Sequence, residues 1–272
     1  MTPKQQPNHA RRDAAAINPP LCDEPTVDVK SVSLGGQQRL RELRPAEAND
    51  VFGERGPPRL SIGRGARTSA FGYAVSKRAF DLVLGSALLL VAIPIILVAA
   101  VAIRINTPGS PFFVQTRLGT QGRPFKIFKL RGMFIDARSR FPTYYDFSAK
   151  RNLEFCFHHE QDPRVTRAGR FIRKTSIDEL PNLWNVVLGD MSLVGPRPEI
   201  PEVLTLYGPY RDEYLSVKPG ITCLSKVTGR DRLTKRETIE FDLDYIRRRS
   251  FSLDWKILWR TFRSVALRRD VF

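Results

Sequence analysis

The longest uncharged run in the chain extends from Leu82 to Ile103, 22 residues that are nearly all apolar. A helix needs about 20 such residues to cross the hydrocarbon core of a membrane. Pro94 lies close to the middle of the run. A proline there removes a backbone donor and clashes with the carbonyl four residues back, so the segment is expected to kink or break. Lys77 and Arg78 precede the run, and Arg104, Arg117, Arg123, Lys126, Lys129 and Arg131 follow it. Basic residues favour the cytoplasmic side. With both flanks basic, a re-entrant hairpin that enters and leaves by one face fits better than a straight crossing, and a kinked spanning helix stays open as the alternative. The run begins about 80 residues into the chain, which does not suit a cleaved signal peptide. A buried core helix would show more polar punctuation on one face.

Shorter patterns follow. In "PFFVQTRLGTQGRPFKIFKLRGM" (111–133), Phe112, Phe113 and Val114 lead one strand and a Gly-rich turn spans 119–124. Phe125, Ile127, Phe128 and Leu130 form the return strand, with Lys126 and Lys129 beside buried positions. Residues 134–162 are polar and are expected to include a helix without a clear motif. In "RKTSIDELPNLWNVVLGD" (173–190), Leu180, Leu183, Trp184 and Val187 follow helical spacing, Pro181 is tolerated only near the start, and Gly189 supplies the stop. The stretch 252–269 places Trp255, Leu258, Trp259, Phe262, Val265 and Ala266 at helical spacing with Ser252 as candidate cap. Ringed by Lys256, Arg260, Arg263, Arg268 and Arg269, this helix suits a membrane interface or the surface of the domain core. Residues 1–74 contain Pro19-Pro20, Pro57-Pro58 and "GRGAR" without a sustained apolar period, and read as a disordered tail with a short helix around 38–43.

Charge narrows the partners. Forty-four Lys and Arg against 28 Asp and Glu give a net charge of +16, which points to anionic partners such as nucleic acid, a lipid surface or phosphorylated substrates. No zinc-finger, helix-turn-helix or RNP-like pattern supports nucleic acid, and no P-loop or dinucleotide fingerprint is present. Cys22, Cys156 and Cys223 form no CxxC, so neither a disulfide framework nor a thiolate metal site is suggested. The adjacent His158 and His159 would point in different directions on a helix or strand.

The candidate chemistry lies in "SIDELP". Ser176 and Glu179 match a capping box, and acidic residues in a first turn interact favourably with the helix dipole. Capping is thus one complete reading of Asp178 and Glu179. The other is chemistry on a phosphate, because Arg170, Arg173 and Lys174 stand just upstream and "GDMSLVGPRPE" brackets Arg197 between two prolines. Pro196 and Pro198 hold that guanidinium at low entropic cost for bidentate contact with phosphate oxygens. Asp190 and Glu199 are further oxygen ligands for a hard cation such as Mg²⁺. Downstream, "VKPGITCLSKVTGR" interleaves turn residues with Lys218, Lys226 and Arg230.

At these residues the chain resembles a family. "KRAFD" before a proline-containing apolar segment, "PFKIFKLRGM", "RFIRKTSIDELPNLWNVVLGDMSLVGPRP" and "PGITCLSKVTGR", in that order, resemble the bacterial sugar transferases, the monotopic phosphoglycosyl transferases, from about Lys77 onward. The resemblance implies transfer of a sugar-1-phosphate from a UDP-sugar to undecaprenyl phosphate, with release of UMP, as the first step of exopolysaccharide or glycan assembly. It implies Asp178 as the nucleophile that becomes phosphorylated, Glu179 as its partner at Mg²⁺, and Arg173 and Arg197 as phosphate-binding; Lys126 and Arg230 are further candidates for phosphate binding. It also implies a re-entrant helix with Pro94 at its break and a place on the cytoplasmic face of a bacterial inner membrane. The expected architecture is α+β, mainly helical: a tail (1–74), a re-entrant membrane helix (75–110) and a small cytosolic catalytic domain (111–272) with a β-hairpin and amphipathic interfacial helices. Membrane lipid is an expected partner and nucleic acid is not; a homodimer is left open. The chain departs from the family where Cys223 replaces a Gly, Lys226 replaces a Gln and Gly132 replaces a Thr or Ser. Two other readings compete: a membrane-anchored scaffold binding anionic lipid, and a lipid-acceptor glycosyltransferase that releases UDP.

Overall fold

The apolar run forms one helix, α1 (Ala70–Asn106). In the computed structural model, residues 70–145, 153, 162–228 and 233–267 are described. The helix therefore begins ahead of the expected boundary at 75. It also continues through Pro94, which lies on an exposed side. This corrects the expected break. Proline clashes with a single carbonyl in the preceding turn, and a bend relieves that clash without ending the helix. Asp81, Gly85, Ala92, Ile96, Ala99 and Ile103 form a buried stripe at helical spacing, while Val83, Leu90, Val91 and Val98 are exposed, Leu90 by 71%. Such a face is suited to lipid. Among the described residues, one helix, Gly72–Asn106, is long and apolar enough to cross a membrane, and its most apolar 18-residue stretch has a mean hydropathy of 2.9.

The polar residues at both ends of α1 bind the remainder of the molecule. Arg78 donates to the carbonyls of Val186 and Val187 at 2.6 and 2.8 Å, and these belong to the end of α3 (Leu183–Leu188). A cation there satisfies terminal carbonyls and complements the helix dipole. Asp81 accepts from the Leu193 amide at 3.1 Å. Tyr73 and Lys77 each donate to Oδ2 of buried Asp254 at 2.9 Å, and Tyr245 donates to its Oδ1 at 2.8 Å. Beyond the other end, Arg131 donates to the carbonyls of Pro108 and Thr107 at 2.8 and 3.0 Å.

The expected hairpin is present. β1 (Phe112–Leu118) pairs antiparallel with β2 (Pro124–Leu130), Phe112 opposite Leu130 and Leu118 opposite Pro124. One-turn helices occupy Ala137–Arg140 and Pro142–Tyr145 within the polar stretch. The helix α2 (Arg167–Lys174) leads into a 3-10 segment, Ile177–Asn182, and then α3. A parallel pair, β3 (Ser192–Val194) with β4 (Gly220–Thr222), was not anticipated. Its three-residue strands are too short to display a period. Gly195 and Gly220 meet backbone to backbone here, since a Cβ on Gly220 would lie 2.1 Å from the Gly195 nitrogen. That approach brings the "VGPRP" and "KPGIT" loops together, with Gly195 N–H donating to Thr222 and Gly220 N–H to Pro196.

The chain closes through α4 (Leu224–Thr228), α5 (Lys235–Arg248) and α6 (Phe251–Leu267). Ser250, rather than Ser252, accepts the Leu253 amide at the start of α6, at 3.3 Å. The inward face of α6 carries Asp254 and Ile257, whereas Trp255, Trp259 and Phe262 are 62%, 59% and 65% exposed. The aromatic stripe legible in the sequence is thus the outer face, and a different set packs on the core of Val186, Leu193, Val194, Ile239 and Leu243.

Candidate active site

The carboxylate segment is fixed from both sides. At its start, Ser176 adopts φ +57°, a left-handed conformation uncommon for a residue with a Cβ. Its side chain makes no cap hydrogen bond, so the anticipated capping box does not form. Glu179 turns away from the helix start: Lys129 donates to its Oε1 at 3.1 Å and Lys226 donates to its Oε2. Two charge-assisted bonds outweigh one bond to a backbone amide. Further along, buried Asn182 accepts from the Phe128 amide at 3.2 Å and buried Asn185 donates to the Lys126 carbonyl at 2.7 Å, pinning the segment to β2. Gly189, at φ +94°, ends α3 as its sequence position suggested.

Arg117, Lys129, Arg197 and Lys226 converge with Glu179 on one small cavity of about 30 Å³, which Asn182 and Cys223 also line. The neighbouring carboxylates respond in opposite ways. Burial and the charge of Glu179 push Asp178 up to about 6, against the pull of Lys129, Lys226 and Arg173. Burial also acts on Glu179, but Lys129 and Lys226 outweigh it and hold this carboxyl well below the usual range. Burial pushes the Cys223 thiol up, and its Sγ lies 3.1 Å from Ser225 Oγ.

Arg197 is held from behind by a buried network. Its amide donates to Asp242 Oδ1 at 3.4 Å, and Tyr214 donates to its carbonyl. Tyr207 donates to Asp242 Oδ2 at 3.2 Å, and Lys235 pairs with Glu199 at 2.6 Å. Burial pushes Asp242 up to about 7, with Lys235 opposing and Glu199 adding to the shift.

Of the residues expected at the site, Glu179 and Arg197 line the cavity, and Asp178 feels the charges of Lys129, Lys226 and Arg173. Arg173 lies 3.9 Å from Asp162. Lys126 does not belong to the group: its side chain is exposed and its backbone carbonyl does the work. The strand explains the correction. Lys126 and Lys129 are an odd number of residues apart in a regularly paired strand, so they point to opposite faces, and Lys129 shares the face of Phe125 and Ile127 and reaches Glu179. Arg230, His158, His159, Cys22, Cys156 and the stretch 1–69 lie outside the described residues. Sequence reasoning also missed Arg117, whose guanidinium donates to the Pro198 carbonyl at 3.0 Å, and the two asparagines. Spacing around the polar "PNLWN" gave one signal, since Asn182 and Asn185 are three apart.

The same geometry tests the Mg²⁺ that the resemblance implies. Both oxygens of Glu179 are occupied by lysines. Glu199 is tied to Lys235, and Asp190 accepts from Asn185 at 3.4 Å. Among the described residues, no group of three or more His, Cys, Asp or Glu side chains could hold a metal. As arranged, the donor set does not fit a divalent ion.

A second, larger space adjoins the site. It is an apolar groove of about 300 Å³ bounded by Leu88, Val91 and Ile95 of α1 and by Leu258 and Val265 of α6. Its polar end is formed by Ser176, Glu179 and Lys226, so the Glu179–Lys226 pair borders both spaces.

Residues 72–268 match the family described as bacterial sugar transferase. The chain belongs to that family. It is 39% identical over 193 residues to the UDP-glucose:undecaprenyl-phosphate glucose-1-phosphate transferase of Escherichia coli (strain K12), covering 68% of this chain and 39% of that protein. It is 34% identical over 206 residues to the exopolysaccharide production protein ExoY of Rhizobium meliloti (strain 1021), covering 73% and 88%. The uncharacterized sugar transferase EpsL of Bacillus subtilis (strain 168) is 39% identical over 197 residues, covering 72% and 90%. The chain spans 37–42% of the length of the larger curated relatives it matches. Membership accounts for the motifs as structure: "KRAFD" clamps α1 to the domain, and "GPRP" with "PGIT" forms the cation-bearing wall of the small cavity.

Proposed function

We propose that this protein transfers a sugar-1-phosphate from a UDP-sugar to undecaprenyl phosphate at the cytoplasmic face of the bacterial inner membrane, as the first step of exopolysaccharide or glycan assembly. The observation that carries the reading is the meeting, at Glu179 and Lys226, of an apolar groove with a cation-lined cavity. An acceptor with a long isoprenoid chain and an anionic head matches the groove and its end. A nucleotide diphosphate matches the four cations.

In this reading, ionised Asp178 attacks the phosphorus that bears the sugar. The bond from that phosphorus to the bridging oxygen breaks, and UMP leaves with the oxygen and its electron pair. An oxygen of the lipid phosphate then attacks the phospho-Asp178 intermediate, and the carboxylate departs unchanged. Lys129, Lys226, Arg173, Arg197 and Arg117 balance the charge that builds on the phosphoryl oxygens. Covalent catalysis divides one difficult transfer into two steps.

The test is product identity. Purified protein, undecaprenyl phosphate, Mg²⁺ and a panel of UDP-sugars should release UMP with at least one donor. Asp178→Asn should lower turnover by about 10³-fold or more while leaving the melting curve in place. Release of UDP, or near-normal turnover by the variant, would overturn the assignment.

A further inference from the structure

Arg197 lines the small cavity, and its charge acts on Glu179. Its own peptide groups are gripped on both sides by side chains from elsewhere in the fold. Asp242, on α5, accepts from its amide at 3.4 Å, and Tyr214, in the one-turn helix Arg211–Tyr214, donates to its carbonyl. The neighbouring peptides are held as well. Gly195 N–H donates to Thr222, Pro196 accepts from Gly220, Pro198 accepts from Arg117, and the Glu199 carbonyl accepts from the Leu118 amide. Behind this grip lies a buried polar set, for Asp242, Tyr207, Tyr214, Lys235 and Glu199 are each at most 3% exposed. Tyr207 donates to Asp242 Oδ2 at 3.2 Å and accepts from Lys235 at 3.4 Å, and the Tyr207 and Tyr214 rings pack with centroids 4.5 Å apart. Burying two carboxylates and an ammonium is a poor route to stability, because apolar side chains of similar volume commonly hold a core as well or better. What hydrogen bonds add is direction. A guanidinium that meets phosphate oxygens in pairs must be aimed to within about 0.5 Å, and bonds to the peptide that carries it fix where its side chain starts.

We propose that Asp242 and Tyr214 are positioning residues for Arg197: they touch no substrate, and they raise affinity for the donor's diphosphate by holding the Arg197 peptide so that its guanidinium stays aimed into the cavity. The proposal rests on the reading that the cation-lined cavity takes that diphosphate. Such a role differs from plain structural support in one respect. Its effect on diphosphate binding passes through a single side chain, and so it vanishes when that side chain is removed. Asparagine at position 242 keeps an acceptor for the Arg197 amide, whereas leucine keeps the volume and loses the acceptor.

Binding of UDP to the full chain in detergent, followed by titration calorimetry, tests this without turnover. Arg197→Ala is expected to weaken UDP by about tenfold or more, the loss of a charge-assisted contact. Asp242→Leu and Tyr214→Phe should each weaken UDP severalfold in the otherwise wild-type chain and add nothing in the Arg197→Ala chain, as a double-mutant cycle requires of groups that act through one another. Asp242→Asn should bind UDP as the wild type does. Losses that add in the Arg197→Ala chain would mark a structural role and overturn the proposal, as would wild-type affinity in both Asp242→Leu and Tyr214→Phe. Tyr214→Phe removes a single hydroxyl, so the cycle stands on it if Asp242→Leu folds poorly. No UDP binding by the wild type would bring down the donor reading of the cavity and the proposal with it; additive losses beside normal UMP release would bring down the positioning role alone.

Discussion

Asp178 and Glu179 are adjacent and share one chemistry, yet their surroundings separate their roles. Glu179 is held in the ionised form by two lysines, whereas Asp178, lifted to about 6, is the member of the pair that titrates nearer neutrality. A nucleophilic Asp178 must be ionised, so UMP release should hold above pH 7 and fall about tenfold per unit below pH 6, with the limb belonging to the coupled pair. Unfolding does not explain such a loss. A carboxyl raised on folding from its ordinary 3.8 binds its proton more tightly when folded, so its contribution to stability grows as pH falls through 6. Glu179, depressed on folding, loses its contribution only below the ordinary carboxylate range. Rates and thermal melts measured from pH 5 to 8 should therefore part company, rates falling while the melts persist; a flat acid limb would count against Asp178. The sequence made this pair visible through its position and neighbours, including Arg197 between its prolines. It misdirected on partners, because a capping box is a local pattern whereas Lys129 and Lys226 reach Glu179 from about 50 residues away on either side. Lys126 and Lys129 look alike as cations of one strand, but their odd spacing puts them on opposite faces, and only Lys129 shares the face of Phe125 and Ile127.

At the level of elements, the hairpin, α3 and α6 were legible because each carries a full period of apolar positions. Their orientation was not. The aromatic stripe of α6 faces outward, and the helix is held instead by Asp254, which gathers Tyr73 and Lys77 from α1 and Tyr245 from α5. In sequence Asp254 is one acid in a basic helix, and nothing local marks it as buried. Replacing it with alanine would remove the acceptor that Tyr73, Lys77 and Tyr245 share, leaving Tyr245 the Val194 carbonyl at 3.1 Å and Lys77 the more distant Asp81 at 3.9 Å. The cost of breaking such a pair is roughly 3–5 kcal/mol, so Asp254→Ala should melt well below the wild type in detergent. Trp259→Ala, on the exposed face of the same helix, should keep the wild-type melt and weaken partition into lipid vesicles. Similar melts for the two variants would show that the Asp254 cluster does not hold α6 in place. The parallel β3–β4 pair illustrates the opposite limit, for two three-residue strands acquire meaning only when Gly195 and Gly220 let their backbones meet.

For the whole molecule, the length of the apolar run announced a membrane segment, but length cannot decide topology. We propose a re-entrant path, which the anchoring of α1 supports. Its start is bound through Arg78, Asp81 and Lys77 to α3, β3 and α6, and the residues just past its end are bound by Arg131 of the hairpin region. Both ends are thus held by one folded body rich in charged groups. A straight crossing would have to carry Arg131 or the Arg78 cluster through hydrocarbon, where each charge costs several kcal/mol. A re-entrant path keeps both on one side and leaves the exposed face of α1 for lipid. On that path Pro94, inside a continuous helix, would be the place for a bend. Cys22 precedes α1 and Cys156 follows it, which makes the topology measurable with native residues. A membrane-impermeant thiol reagent added to intact cells should label neither cysteine, and both should react once the membrane is opened. Labelling of one alone in intact cells would establish a spanning helix, and would require the contacts that hold the two ends of α1 to a single body to come apart in the membrane.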